Sequence, residues 1–393
     1  MPDRRASFEF TRWEIIMEYW RSEDFQTDPE VQARFVHEYV HYLESLMGTL
    51  GRVVLTELFR MVIYARQALE GFNNHSKTKP PRLPVLERLK AACSRDFDPT
   101  ELPGQYAELY KEILFTMYTG HLQGITRVDN ENPFETRTHE KYGYPRTDFV
   151  FIRGESRGRP ISVPLTERIL FDNVARQVQR NYLRNNTGRT STVDELRSTD
   201  PDEFYYVCLT DLIERSLPKR RSPIDSSAWA IAICQYSLLC DYPDQVFRYL
   251  LTELRGFKGQ DLTKEFLENL KTDRWIRGHY NNPPLEEVLA QILTDFGDKT
   301  CDSSGAGIEC LINNILTLYT DLDRNVALLF GLDLTWERVK GWASRYGCPP
   351  VVFADGIKYD PFEIGSTNPW HTYLSLTYSL LYRKDLIPRS PDS

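Results

Sequence analysis

From Pro29 to Leu50 the chain reads PEVQARFVHEYVHYLESLMGTL, and no other stretch restricts the fold so tightly. Asp28 is placed to cap a helix there, Pro29 suits its first turn, and Gly48 and Gly51 punctuate its end. At about 100° per residue, Phe35, Val36, Tyr39, Leu43, Leu46, Met47 and Leu50 form one apolar stripe. A helix with such a stripe has to bury it against other elements. His37 and His41 fall almost opposite the centre of the stripe, beside Arg34, Glu44 and Gly48. They are therefore expected to face a polar cleft rather than the core. Gly48 would let another backbone approach that face closely.

Residues 37–41 read His-Glu-Tyr-Val-His. A helix brings positions i and i+4 onto one face, so two imidazoles at this spacing can chelate one metal ion. Glu38 then lies in reach of a water on that ion. The chain has 7 histidines in 393 residues. With glutamate at about 7% of an ordinary protein, chance would supply the pattern roughly 0.01 times in such a chain. The ion expected is Zn2+, which lowers the pKa of a bound water toward ~7 and polarises a carbonyl. The competing reading is two solvated surface histidines four apart.

Tyr39, Val40 and Tyr42 are uncharged and Leu43 is apolar, which satisfies the longer motif of zinc peptidases. On these residues the chain resembles the zincin superfamily of metallopeptidases. FVHEYVHYLES is also similar to an H-E-Y-x-H-F-L-Q type segment near the N-terminus of a group of bacterial proteins. The metzincin continuation H-E-x-x-H-x-x-G-x-x-H is absent, because Glu44 and Met47 stand at those two places. The resemblance implies a zincin-like N-terminal half built around the active-site helix. It also implies peptide-bond hydrolysis with Glu38 as catalytic base, on a zinc held by three side chains with one position open.

A third ligand is then needed. His75, His121, His139, His279 and His371 have no partner at ligand spacing; after His139-Glu140, Gly143 occupies the place of a second histidine. A carboxylate is expected instead, as in the gluzincin branch, which often carries E-G-x-A or E-x-x-A on a second helix. Residues 169–179, ILFDNVARQVQ, approach that pattern with Asp172-Asn173-Val174-Ala175. Aspartate is one methylene shorter than glutamate, so the two helices have to lie closer. Periodicity over 166–184 puts Leu170, Phe171, Val174 and Val178 on an apolar stripe. Asp172 lies on the polar side with Arg168, Ala175 and Gln179. Glu167 is the alternative third ligand. It falls within the apolar stripe, where a carboxylate needs a cation or a metal, yet directly after Thr166 it also suits the helix dipole. Asp172 is favoured over Glu167, the lesser alternative being that both are helix-surface acids; Glu57 and Glu70 are nearer in sequence, and Glu57 reads as a solvated helix residue.

A net charge of −8 and a pI near 5.6 exclude general electrostatic attraction to nucleic acid. The one basic run, Arg215 to Arg221, contains Pro218 and is followed by Pro223, so it reads as a solvated loop. Seven cysteines, odd in number, scattered and without C-x-x-C, fit a reducing compartment. MPDRRASFEFTRW lacks the apolar core of an export signal. The longest apolar stretch, around Trp229 to Cys240, is too short and too polar to span a bilayer. A cytoplasmic protein without a membrane partner is expected.

The fold class expected is mainly α with a small β component (α+β). Residues 1–190 would form the zincin-like domain and 191–393 a helical domain for substrate selection or partner binding. The polar stretch 185–202 is the boundary. Residues 7–20 read as a strand, FEF, and a short amphipathic piece. Helices follow the motif helix at about 52–71, 84–95 and 103–123. Alternation in TDFVFIRG and RPISVPL reads as two strands in a hairpin. In zincins an edge strand beside the cleft pairs with extended substrate; TDFVFI is a candidate for it, and a core strand is the commoner use of such a segment. Beyond the boundary, helices are expected at about 203–217, 225–240, 243–256, 262–271, 284–296, 307–329, 333–345 and 368–384. GHYNNPPLEE and GCPPVVFADG read as turns.

The leading expectation is a cytoplasmic zinc endopeptidase acting on a protein or peptide, with His37, His41 and Asp172 on the metal. Such an enzyme has to be narrow in substrate or restrained by a regulatory protein partner, as a toxin-like or phage-defence effector would be. The alternative is a non-enzymatic helical interaction protein with a degenerate or structural metal site.

Overall fold

The computed structural model describes residues 6–9, 14–48, 125–138, 148–189, 205–217, 223–256 and 333–363, less a few single positions within these ranges, and isolated residues between 314 and 321. In chain order the elements are β1 (Ser7–Glu9), β2 (Glu14–Met17), α1 (Ser22–Thr27) and α2 (Pro29–Met47), then β3 (Arg127–Val128), β4 (Phe134–Thr138), β5 (Asp148–Ser156) and β6 (Arg159–Pro164). There follow α3 (Glu167–Thr187), a short 3-10 turn (Tyr205–Val207), α4 (Cys208–Ser216), α5 (Pro223–Leu238), α6 (Pro243–Gly256), α7 (Trp336–Tyr346), β7 (Val351–Phe353) and β8 (Gly356–Lys358). The described part is thus mainly α with a small β component. The expected helices at 52–71, 84–95, 103–123, 262–271, 284–296 and 368–384 lie outside the described residues, as does nearly all of 307–329.

Two sheets frame the helices. The first runs β1-β2-β7-β8, with β1 antiparallel to β2, and β2 parallel to β7 through Ile15↔Val351, Ile16↔Val352 and Met17↔Phe353. The piece after FEF is therefore a strand, and so is VVF, which the flanking Cys-Pro-Pro and Asp-Gly made read as a turn. In the second sheet β5 pairs with β3 and β4 along one side and with β6 along the other. TDFVFI is accordingly not an edge strand. β4 pairs with it along one side; on the other β6 covers Phe151 and Ile152, while the Val150 carbonyl accepts the Leu165 N–H and the Val150 N–H is held by Asp244, which leaves no row of free backbone groups for a substrate. The β5–β6 hairpin expected from the alternation is present, and Gly158 supplies the positive φ its turn needs.

Among the described residues, helix α2 packs against α3, α7 and the strands β1 and β2. The Asp28 side chain accepts the Glu30 N–H at 2.8 Å and Pro29 starts the first turn, as the sequence indicated. The apolar stripe is buried, but so is nearly everything else. Between Val31 and Leu46 only Arg34 and His37 retain intermediate exposure. The wheel identifies which residues differ in polarity; it cannot reveal that a polar face is also covered. At the start of α2, Phe25 sits in an aromatic cluster with Phe35, Trp336, Phe353 and Phe362, ring centroids 4.9 to 5.4 Å away. Tyr39 donates to the Gly347 carbonyl at 2.7 Å and Tyr42 to that of Tyr346 at 3.2 Å. Helix α7 and β7 thus form one wall around α2.

The opposite wall is α3. Tyr182 Oη donates to Gln32 Oε1 at 2.6 Å. At the far end a Cβ on Gly48 would stand 3.5 Å from both Phe171 Cζ and the Leu238 carbonyl oxygen. The close backbone approach foreseen at Gly48 is made by the end of α5. Asn173 Oδ1 accepts the Leu209 N–H, and Gln177 donates to Thr210, which fixes the start of α4 to α3. Of the expected boundary, 185–187 continues α3, Gly188 caps it in the left-handed conformation, and 190–202 lie outside the described residues. Buried residues from Phe8 to Phe362, on both sides of position 190, share one hydrophobic cluster.

Candidate metal centre

Helices α2 and α3 meet with their polar faces together, and the residues facing each other are the ones singled out from the motif. His37 Nε2 and His41 Nε2 are 3.3 Å apart. His41 Nε2 is 3.3 Å from Asp172 Oδ1. One ligand atom from each of the three residues lies within 4.8 Å of the other two, and these three are the group able to hold a metal among the described residues. Glu167, the alternative, opens α3 and is not in that group. Glu57, Glu70 and the five other histidines lie outside the described residues.

The spacing can be tested against an ion. Bonds of ~2.0–2.1 Å in a tetrahedral site put neighbouring ligand atoms about 3.3–3.4 Å apart. Two of the three pairs already stand at 3.3 Å. Two imidazole nitrogens this close need a proton or a cation between them. Buried polar atoms are normally satisfied, yet Nδ1 of His37 and Oε1 of Glu44 are buried without a hydrogen-bond partner. The donor set of two nitrogens and one carboxylate oxygen suits zinc. The shorter aspartate is accommodated because α2 and α3 touch directly, Ala175 on the same face of α3 being fully buried.

Electrostatics separate the two histidines. Burial pushes the His37 imidazole well below its ordinary pKa, and the charges of His41 and Arg176 push the same way. Burial also opposes charge on His41, but hydrogen bonds to Asp172 and Glu44 outweigh it and raise that group to about 10. Desolvation raises Glu38 to about 7. It also raises Glu44 to about 8, against the pull of His41. The result is one neutral imidazole, one imidazolium and a carboxyl group poised near neutrality, all within two turns of α2.

Around this centre stand residues that the motif did not indicate. Glu44 Oε2 lies 3.3 Å from His41 Nδ1, on the ring edge away from Asp172. Arg168 Nε is 3.7 Å from Asp172 Oδ2. Tyr206 meets His37 edge-on, ring centroids 6.0 Å apart. The carboxylate of Glu38 accepts the backbone N–H of Phe8 in β1, the outer strand of the first sheet among the described residues. Arg168 and Glu44 were visible on the polar sides of their helical wheels. Tyr206 and Phe8 come from distant segments and carry no local signal.

No protein-family model matches the chain, and neither a curated protein nor a solved structure matches it. The basic run is reached only at Arg215, which lies in the last turn of α4, ion-paired with Asp211 and bonded to the Val128 carbonyl. No helix among the described residues is long and apolar enough to cross a membrane.

Proposed function

We propose that His37, His41 and Asp172 hold a zinc ion and that the protein is a zinc-dependent hydrolase, a zincin-like endopeptidase of narrow specificity working in the cytoplasm. The observation that carries this reading is the 3.3 Å spacing of His41 Nε2 from both His37 Nε2 and Asp172 Oδ1, with Glu38 next in the chain. When bound, the ion supplies Lewis acidity and a water whose pKa falls toward ~7. Glu38 takes the proton of the attacking water and returns it to the leaving amine nitrogen. Its carboxyl, raised to about 7, suits a group that must both accept and donate near neutral pH. His37, already neutral, offers its lone pair without prior loss of a proton. Tyr206, edge-on to His37, and Arg176, whose charge acts on it, are the donors we assign to a developing oxyanion.

Narrow specificity is required of a peptidase in the compartment where it is made, and a regulatory partner or a toxin-like or phage-defence role would meet that requirement. A second reading, a helical interaction protein with a structural or degenerate site, is favoured by the pairing of Asp172 with both Arg168 and His41, which can hold the cluster together without a metal. Elemental analysis decides between them. The hydrolase reading expects about one zinc per chain after reconstitution; a chain that takes up none overturns it. Glu38→Gln is expected to keep the metal and abolish hydrolysis.

A further inference from the structure

The side chain of Glu44 is 0% exposed. Burying a carboxylate in an interior costs several kcal/mol unless partners offset it. Glu44 has one: Oε2 stands 3.3 Å from His41 Nδ1, while Oε1 is buried with none. Among the described residues the surroundings give no other reason for an acid. Leu43 and Leu46 beside it are fully buried, and the Cys234 thiol comes near from α5. A hydrophobic residue of the same volume would fill the place without the desolvation cost. The carboxylate cannot join the cluster itself, because Nδ1 and Nε2 lie on opposite edges of the imidazole and Oε2 is on the Nδ1 side. What it can do is accept the Nδ1 proton. That contact fixes both the tautomer and the ring plane, and leaves the Nε2 lone pair aimed between His37 and Asp172.

We propose that Glu44 is a positioning residue for the metal centre, a carboxylate beneath His41 that holds Nδ1–H and thereby presents Nε2 as the ligand. The proposal rests on the reading of His37, His41 and Asp172 as a metal site. The acid sits three residues after the second histidine on the motif helix itself, one turn further along the same face. Carboxylates hydrogen-bonded to ligand histidines raise ligand basicity, and their loss costs about 10–100-fold in metal affinity.

Two near-isosteric variants separate a positioning role from a structural one. Glu44→Gln keeps an acceptor for Nδ1–H, and Glu44→Met has none. Zinc dissociation constants of the full chain are measured by chelator competition, together with the melting of the metal-free forms. The expected order of affinity is wild type, then Gln, then Met, with Met weaker by about 10–100-fold. The metal-free Met variant should melt below the wild type near neutral pH, because the His41 imidazolium loses one of its two buried acceptors. Equal zinc affinity in wild type and Met overturns the proposal, and so does a Gln variant that binds zinc no better than Met. A wild-type chain that binds no zinc overturns instead the metal reading on which the proposal stands.

Discussion

Zinc uptake by the metal-free protein should release protons and tighten as pH rises. The perturbation is pH itself, applied between 6.5 and 8.5. In the metal-free protein His41 is an imidazolium raised to about 10, hydrogen-bonded to Asp172 and Glu44 against the cost of its burial. Its Nε2 proton must leave before a metal can take the lone pair. At pH 7 that removal costs about 4 kcal/mol, three units at ~1.4 kcal/mol each. The apparent dissociation constant should therefore fall about tenfold per pH unit across this range. His37, held well below its ordinary value by burial, is already neutral and contributes nothing to the slope. Glu38 and Glu44, raised to about 7 and about 8, add a further fraction when the cation drives them to ionise. Isothermal titration at pH 7.5 in two buffers of different ionisation enthalpy should report about one to two protons released per zinc. Chelator competition gives the slope independently. A dissociation constant flat from pH 6.5 to 8.5, with no buffer dependence of the heat, would refute the picture of His41 as a protonated ligand-in-waiting.

Three further outcomes follow from the same geometry. Asp172→Ala should strip the zinc while Glu167→Ala retains it, read by elemental analysis; the reverse pattern would move the third ligand to Glu167. Stability of the metal-free protein should decline as pH rises. Glu38, Glu44 and His41 all bind protons more tightly folded than unfolded, so their contribution is full below about 4.5 for the acids and 6.5 for the histidine and is lost toward about 7, 8 and 10. His37 acts oppositely, losing stability below 6.5. Melting in chelator should be lower at pH 8.5 than at 5.5, zinc should reverse the trend, and a higher melting temperature at 8.5 without metal would contradict it. Phe25→Ala, which empties the aromatic cluster at the start of α2, should cost about 3–5 kcal/mol in urea denaturation. A loss below 1 kcal/mol would show that the cluster does not anchor the motif helix.

The sequence carried the local parts of this arrangement well. Asp28, Pro29 and Gly48 delimited α2, Thr166 and the 3.6-residue spacing delimited α3, and alternation delimited the β5–β6 hairpin. Each of these is encoded by neighbours along the chain. The wheel also placed Asp172 on the face that meets the histidines, since a helix has only one polar side to offer. Long-range pairing was not legible. Val351–Phe353 is too short for alternation to register, and its partner Ile15 lies far away in sequence. Burial of the polar faces was hidden for a related reason: polarity marks a face as different, and only a second element decides whether it is wet. Glu44 was read as one more polar residue on that face because its value depends on being dry.

The parallel pairing of β2 with β7, and of Phe25 with Phe353 and Phe362, has a consequence in time. The strand before the motif helix and the aromatic seat beneath it wait for segments synthesised some three hundred residues later. At about ten residues per second, the ribosome needs roughly half a minute to deliver them. During that interval the nascent chain displays His37, Glu38 and His41 without the wall that closes over α2. The packing around the start of the motif helix is therefore completed only after translation has passed Phe362.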